Sequence, residues 1–311
     1  MRICVFGAGA VGGHLAARLA ASGHDVSVVA RGAHLEAMRT RGVRLLHGDE
    51  IIQGKVRTGN IGRQDAVFVT LKANLLGVFA DAAAPLLGPE TLVVFAQNGI
   101  PWWYSPHPDK KLAASVPAAS VVGGVVYSAN EVVEPGVIRN FVPNNNMLVI
   151  GAPDKRESPR LRELRAALEK SGMSSPAPED IRQSVWAKLV QNIGNASLCL
   201  LTESAISDVV ADPLLRELNR KAKAEAAAIA HALGIDISRA PQRPSGGHVS
   251  GAVGHKPSML QDYERGRPME IEALFITPHA MARSAGVPTP TLDVLIPLAA
   301  HKAASKGLYT P

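Results

Sequence analysis

The stretch "VFGAGAVGGHLAARLAASGHDVSVVAR", residues 5–31, decides the first half of the fold. "RICVF" (2–6) is an apolar run of strand length, and Gly7, Gly9 and Gly12 follow it at once in G-x-G-x-x-G spacing. From Val11 to Ala21 small and aliphatic residues recur at helical spacing, and Gly23 is placed to close that helix in the left-handed conformation. "DVSVVA" (25–30) is the next strand. Strand, glycine turn, helix and strand within about thirty residues make one crossover unit with parallel strands. A lone G-x-G-x-x-G arises readily by chance; in this setting it is a Rossmann fingerprint for a dinucleotide. Gly7 permits the sharp turn, Gly9 leaves bare backbone for a pyrophosphate, and Gly12 lets helix and strand close up. The free N–H groups at the helix start, at Ala10, Val11 and Gly12, then face the phosphates.

The last letter of the stretch carries a second message. At the end of the second strand an acid would bind both ribose hydroxyls of NAD, and would repel the 2'-phosphate of NADP. Arg31 stands there instead, and a guanidinium grips a phosphate. Arg31 therefore points to NADP(H). The alternative is a solvated loop arginine, since "ARGAHLEAMRTRG" holds others at 39 and 41.

A chain of 311 residues is comfortable for two domains. Hydrophobic residues make up 46% of it, yet no uncharged apolar run approaches the roughly 18 residues of a membrane span. The first residues show no basic leader and pass straight into a helix pattern, so they read as fold and not as an export signal. The two cysteines, Cys4 and Cys199, lie in a predicted strand and a predicted helix, which suits a reducing cytoplasm and argues against a disulfide scaffold. The net charge of +6 is dispersed among acids, as in "RESPRLRELRAALEK", and no recognised nucleic-acid module accompanies it. The excess charge suits small anionic ligands, with neither nucleic acid nor membrane as partner. None of the ten histidines stands in a metal-ligand pattern, so no metal is expected.

Further strands read at "AVFVTL" (66–71) and "TLVVFA" (91–96) with a helix between them. "ASVVGGVVYSA", "GVIRNF" and "NMLVIG" read as short strands extending the sheet's edge. After about residue 155 the pattern turns helical, opening with Ser158 as cap, Pro159 in the first turn and Gly172 at the end. Asp180 is placed to cap a helix from 181, and more helices read at 212–233, about 257–284 and 290–305. The polar, Pro-rich "SSPAPED" (174–180) is the best linker. The expected organisation is α/β: a Rossmann domain over 1–176 and an all-helical domain over 177–311.

Ligands of an open parallel sheet gather beyond the carboxyl ends of its strands. Lys72 in "TLKAN", and Gln97 and Asn98 in "AQNGIP", stand at such places and could hold a carboxylate substrate and a cofactor ribose; ordinary loop polarity is the alternative, and their position favours function. "PWWYSP" (101–106) is either a lid or simple packing, and both stay open. On the helix from Ile181, Asn192 lies about 40° from Lys188 and Asn195 about 20° to the other side, so the three share one stripe among apolar neighbours. A lysine held there can give a proton to a ketone oxygen as hydride reaches the carbon, and burial tends to lower its pKa toward that task. The plain alternative is a lysine that snorkels to solvent. Downstream, "KPSMLQDYERGRPMEIEAL" (256–274) gathers Ser258, Gln261, Asp262, Glu270 and Glu272; the two glutamates face nearly opposite ways on a helix, so at most one reaches a ligand.

Together "GAGAVG", "LKA", "QNG", "WAKLVQN" and "PSMLQDYERGRPMEIEAL" resemble the ketopantoate reductase (2-dehydropantoate 2-reductase) family over nearly the whole chain. The resemblance implies a helical C-terminal domain of the 6-phosphogluconate dehydrogenase-like type, and reduction of ketopantoate to pantoate with NADPH in pantothenate biosynthesis. It places the general acid on Lys188, the substrate-orienting asparagine on Asn192, the serine that meets the substrate carboxylate on Ser258, and the active-site glutamate, also near the cofactor, on Glu270. It places Lys72 and Asn98 along the cofactor and substrate cleft, and Arg31 at the 2'-phosphate.

Two departures fall near the substrate. The second helix asparagine, Asn195, comes three residues after Asn192 where the family has four, and Leu274, Phe275 and Ile276 stand where an Asn-Gly pair is common. The expectation is an NADPH-dependent 2-oxo acid reductase with ketopantoate as substrate. Another 2-oxo acid with the same mechanism, or an NADP(H)-binding regulator without turnover, are the alternatives. A homodimer is compatible with the sequence, which does not determine the oligomeric state.

Overall fold

The computed structural model describes residues 1–143, 145–243, 254 and 256–310. They form two compact units. One holds residues 1–97, 109–181 and 241–243; the other holds 98–108, 182–240 and the described residues from 254 on.

In the first unit β1 (Arg2–Phe6), α1 (Ala10–Ala21) and β2 (Asp25–Val29) are the crossover, with Ile3 to Phe6 parallel to Val26 to Val29. Gly23, at φ 91°, closes α1. The chain continues through α2 (Gly32–Arg41), β3 (Val43–His47), β4 (Glu50–Gly54), β5 (Ala66–Val69), α3 (Leu76–Ala82), β6 (Leu92–Phe95) and α4 (Lys110–Ser115). Next come β7 (Val121–Tyr127), β8 (Asn130–Glu134), β9 (Val137–Asn140), β10 (Met147–Gly151) and α5 (Pro159–Lys170). Six strands form one sheet in the order β10-β7-β6-β5-β1-β2, parallel except at β10. Its central strands, "AVFV" and "LVVF", are buried at every residue, as a sheet covered on both faces requires. Ser158 caps α5, accepting from Leu161 N–H at 3.1 Å.

The strands expected at the edge divide between two sheets. β7 and β10 extend the main sheet, but "GVIRNF" supplies β9, which runs parallel to β3 in a second sheet ordered β4-β3-β9-β8. The cause lies in α1, whose rear face is made of small residues. Ile138 of β9 packs so close to Gly13 that a Cβ there would sit 2.7 Å from it, and Gly54 of β4 meets Ala17 and Ala20 as tightly. An apolar strand finds on that face the cover that the main sheet's edge does not offer. The β3–β4 hairpin, unforeseen, turns on Gly48 and Asp49, a recognisable two-residue signal.

The second unit is helical: α6 (Ile181–Thr202) from its second residue, α7 (Ile206–Ala211), α8 (Pro213–Ala232), α9 (Ser258–Glu264), α10 (Thr277–Ser284) and α11 (Leu292–Ser305). A π-helical turn, Glu272–Ile276, leads without a break into α10. Trp186, Leu189 and Ile193 bury one face of α6. Asp212 caps α8 through bonds from Leu214 and Leu215 N–H, and Glu225 of α8 in turn accepts from Thr291 and Leu292 N–H at the start of α11. The single helix expected over about 257–284 is interrupted, because Gly266 at φ 61° and Pro268 end α9. Among the described residues no helix is long and apolar enough to cross a membrane.

Candidate active site

The glycine turn is built to hold an anion. Gly7 and Ala8 N–H both donate to Val29 C=O at 3.0 Å, which bends the chain back over β2. Gly7 takes φ 103°, and a Cβ on it would lie 2.9 Å from Leu71 N. On Gly12 a Cβ would lie 2.5 Å from Gly7 O, so the helix closes on the turn only without a side chain. Gly9 is exposed with open space above it. No side chain caps α1, and the first helical bond runs from Gly13 N–H to Gly9 O at 2.7 Å. That leaves the N–H groups of Ala10, Val11 and Gly12 at the helix start for a ligand, and bare backbone over Gly9 for its approach. The donor set fits a pyrophosphate.

Two residues that sequence reasoning passed over hold this cradle. Thr70 donates its hydroxyl to Gly7 C=O at 2.8 Å. His34 accepts from Gly136 N–H at Nδ1 (2.9 Å), so its proton sits on Nε2, which donates to Ala8 C=O at 2.7 Å. Both act on backbone carbonyls, which leave no mark in a motif.

Arg31 is exposed and extended at the end of β2, at the N-cap position of α2. Lys72, half-buried, opens a short 3₁₀ turn, Ala73–Leu75, just beyond β5. Gln97 is given to structure: its amide donates to Val69 and Leu71 C=O at 2.8 and 3.0 Å, tying the ends of β5 and β6 together.

In the helical unit Lys188 Nζ, half-buried on α6, donates to Asn98 Oδ1 at 2.6 Å. Asn192 follows one turn later on the same side, half-buried. Glu270, also half-buried, precedes Ile271, and its carbonyl accepts from Leu274 N–H at 3.1 Å. The loop carrying Asn98 is bonded to that same turn, from Ile100 N–H to Ala273 C=O at 2.8 Å. Ser258 is the exposed first residue of α9.

Asn195 does not join this group. Its Oδ1 accepts from Asn219 Nδ2 of α8 at 2.9 Å, beside Gly194, where α6 and α8 approach so closely that a Cβ would lie 3.0 Å from Asn219 Oδ1. The helical angle placed it near Lys188, but the flank it occupies is covered by α8. In the aromatic loop Tyr104 OH accepts from Trp186 Nε1 at 3.2 Å, which makes Tyr104 a packing residue of the helical unit. Among the described residues no group of His, Cys, Asp and Glu is placed to hold a metal ion.

The family described as "Ketopantoate reductase PanE/ApbA" matches residues 3–154, and "Ketopantoate reductase PanE/ApbA C terminal" matches 180–303. A 2-dehydropantoate 2-reductase of Mesorhizobium japonicum is 41% identical, covering 100% of both chains. The crystal structure of 2-dehydropantoate 2-reductase from Geobacter metallireducens superimposes with a TM-score of 0.82 at 27% identity, covering 96% of this chain and 99% of that one. A dimeric ketopantoate reductase from Staphylococcus aureus shares the fold, with a TM-score of 0.76 at 19% identity over 99% of this chain and 100% of that one.

Proposed function

The chain belongs to the ketopantoate reductase family, and on that footing we propose that it reduces ketopantoate to pantoate with NADPH, a step of pantothenate biosynthesis. The observation that carries the reading at the level of residues is the Lys188–Asn98 bond. The bond to the amide oxygen fixes where a half-buried ammonium sits and how it is turned, which is what a positioned proton donor needs.

NADPH, when bound, supplies the hydride that reaches the keto carbon. Lys188 gives the proton to the oxygen that becomes the hydroxyl, and Asn98 keeps the ammonium aimed. Asn192, one turn along α6, would orient the substrate; Ser258 would meet its carboxylate; Glu270 would be the active-site glutamate near the cofactor. The backbone of Gly7, Gly9, Ala10, Val11 and Gly12 would hold the pyrophosphate, Lys72 would lie along the cofactor, and Arg31 would take the 2'-phosphate. Nucleotide binding falls mainly to 1–176 and substrate chemistry to 177–311, save that residues 98–108, Asn98 among them, belong to the helical unit. Val294 and Leu298, exposed on one face of α11, together with the dimeric relative, support a homodimer. Two buried free thiols, Cys4 and Cys199, support a cytoplasmic location.

The test is to follow NADPH absorbance with ketopantoate and with a panel of other 2-oxo acids. Oxidation fastest with ketopantoate is expected. A higher kcat/KM for another acid moves the substrate, and tight NADPH binding without oxidation by any of them makes the protein a regulator.

A further inference from the structure

We propose that Gly99, the carbonyl of Ala273 and Pro278 form a backbone clamp that positions Asn98 against Lys188. The inference rests on the reading of Lys188 as proton donor. It concerns residues to which that reading gives no part.

The clamp begins with a proline inside a helix. The helix from Ile271 to Ser284 is continuous, with its widened turn at Glu272–Ile276. In that turn Thr277 N–H reaches back five residues to Glu272 C=O. Ala273 would be served next, either by Thr277, whose proton is already given, or by residue 278. Residue 278 is Pro, which has no N–H. The carbonyl of Ala273 is therefore left without a donor from its own helix, and a buried carbonyl without a partner costs about 1–3 kcal/mol. Ile100 N–H supplies that donor at 2.8 Å. Wide turns of this kind recur where a helix does more than pack.

Gly99 makes the contact sterically allowed. A Cβ on it would lie 2.3 Å from Ala273 O, 2.5 Å from Ala273 C and 2.9 Å from Leu274 N, all backbone atoms. Its φ of 83° is also one that side chains rarely adopt. The chain on the far side of Gly99 is thus bolted to the turn, and Asn98 stands one residue away with Oδ1 2.6 Å from Lys188 Nζ. The same turn bonds Leu274 N–H to Glu270 C=O. One short piece of backbone sets Asn98 and Glu270 in register, so Gly99 and Pro278 are positioning residues that act through Asn98.

The experiment compares Gly99→Ala and Pro278→Ala with wild type, alone and in an Asn98→Ala background. The expected result is a kcat lowered about 10- to 100-fold by Gly99→Ala and less by Pro278→Ala, with KM for NADPH within about twofold. Neither should lower kcat further once Asn98 is Ala. Wild-type kcat in both variants, or undiminished losses in the Asn98→Ala background, would overturn the clamp. Amide hydrogen exchange on the protein without ligand decides independently of turnover. Ile100 should be protected in wild type and exchange fast in Pro278→Ala while α11 stays protected; unchanged Ile100 protection would overturn the clamp. If wild type consumes no NADPH with ketopantoate, the functional reading fails and exchange alone judges the clamp.

Discussion

Lys188 and Asn98, ninety residues apart in sequence, meet at 2.6 Å through a single side-chain hydrogen bond. If that ammonium is the proton donor, Lys188→Ala loses the chemistry and keeps the nucleotide. We expect kcat to fall about 10²- to 10⁴-fold, the range that positioned proton donors contribute. The dissociation constant of NADPH, read by fluorescence titration, should stay within about threefold. Near-wild-type single-turnover rates would remove Lys188 from the mechanism.

Arg31 extends from the end of β2 into solvent, where a 2'-phosphate would replace water around its guanidinium. A charge-assisted pair of this kind is worth about 1.5–3 kcal/mol, so Arg31→Ala should cut the NADPH-over-NADH preference in kcat/KM about 10- to 100-fold. The loss should appear in KM and leave kcat nearly unchanged. A preference that survives the substitution assigns the selection to another residue.

His34 holds Ala8 C=O from one ring nitrogen while the other takes Gly136 N–H. His34→Ala frees the glycine turn, and the expected outcome is a several-fold rise in KM for NADPH with kcat within about twofold. Stopped-flow binding of NADPH isolates the effect from turnover. Equal binding in the two proteins would mean that the turn holds its shape without the histidine.

Asn195 is bonded to Asn219 between α6 and α8. Asn195→Ala should therefore cost stability of about 1–2 kcal/mol in a denaturant titration, from one lost hydrogen bond and a stranded amide. KM for the keto acid should change by less than about twofold. A large KM change at unaltered stability would return Asn195 to the substrate.

His14 is wholly buried on α1 and accepts from Arg18 Nε at 2.9 Å. Burial first, then the charges of Arg18 and His47, push its pKa from 6.5 to about 3. Between those values the unfolded chain binds a proton that the folded chain refuses, so stability falls as pH drops below about 6.5, by about 1.4 kcal/mol per unit. Between pH 7.5 and 5 this one group removes roughly 2 kcal/mol. His14→Gln keeps an acceptor for Arg18 and should flatten that slope in urea midpoints across the range. An unchanged slope would place the acid sensitivity elsewhere.

The sequence made some of this legible and hid the rest for identifiable reasons. The crossover from Arg2 to Val29 is local, and every residue that shapes it lies within one short stretch. Lys188 and Asn98 could be nominated singly, from a helix stripe and a strand end, but their meeting depends on how a loop lies against a distant helix. β9 was misplaced because strand propensity says that Val137 to Asn140 will pair and not with which edge. The partner was chosen by the small-residue face of α1. At Asn195 the same gap shows: periodicity gives an angle around the helix axis, whereas the partner it bonds, Asn219, comes from tertiary packing. Thr70 and His34 were invisible because their work is done on carbonyl oxygens, which every residue has.

Pro278 has a practical side. A procedure that ranks substitutions by fold stability alone would mark it for removal, as a proline in the middle of a helix, whereas Gly99 is guarded by its own strain, since a side chain at φ 83° there would meet the Ala273 backbone. The replacement of Pro278 would look like an improvement on a design score. If the clamp holds, the reward would be a sturdier protein that turns over slowly, so libraries built to toughen this enzyme should leave those two positions untouched.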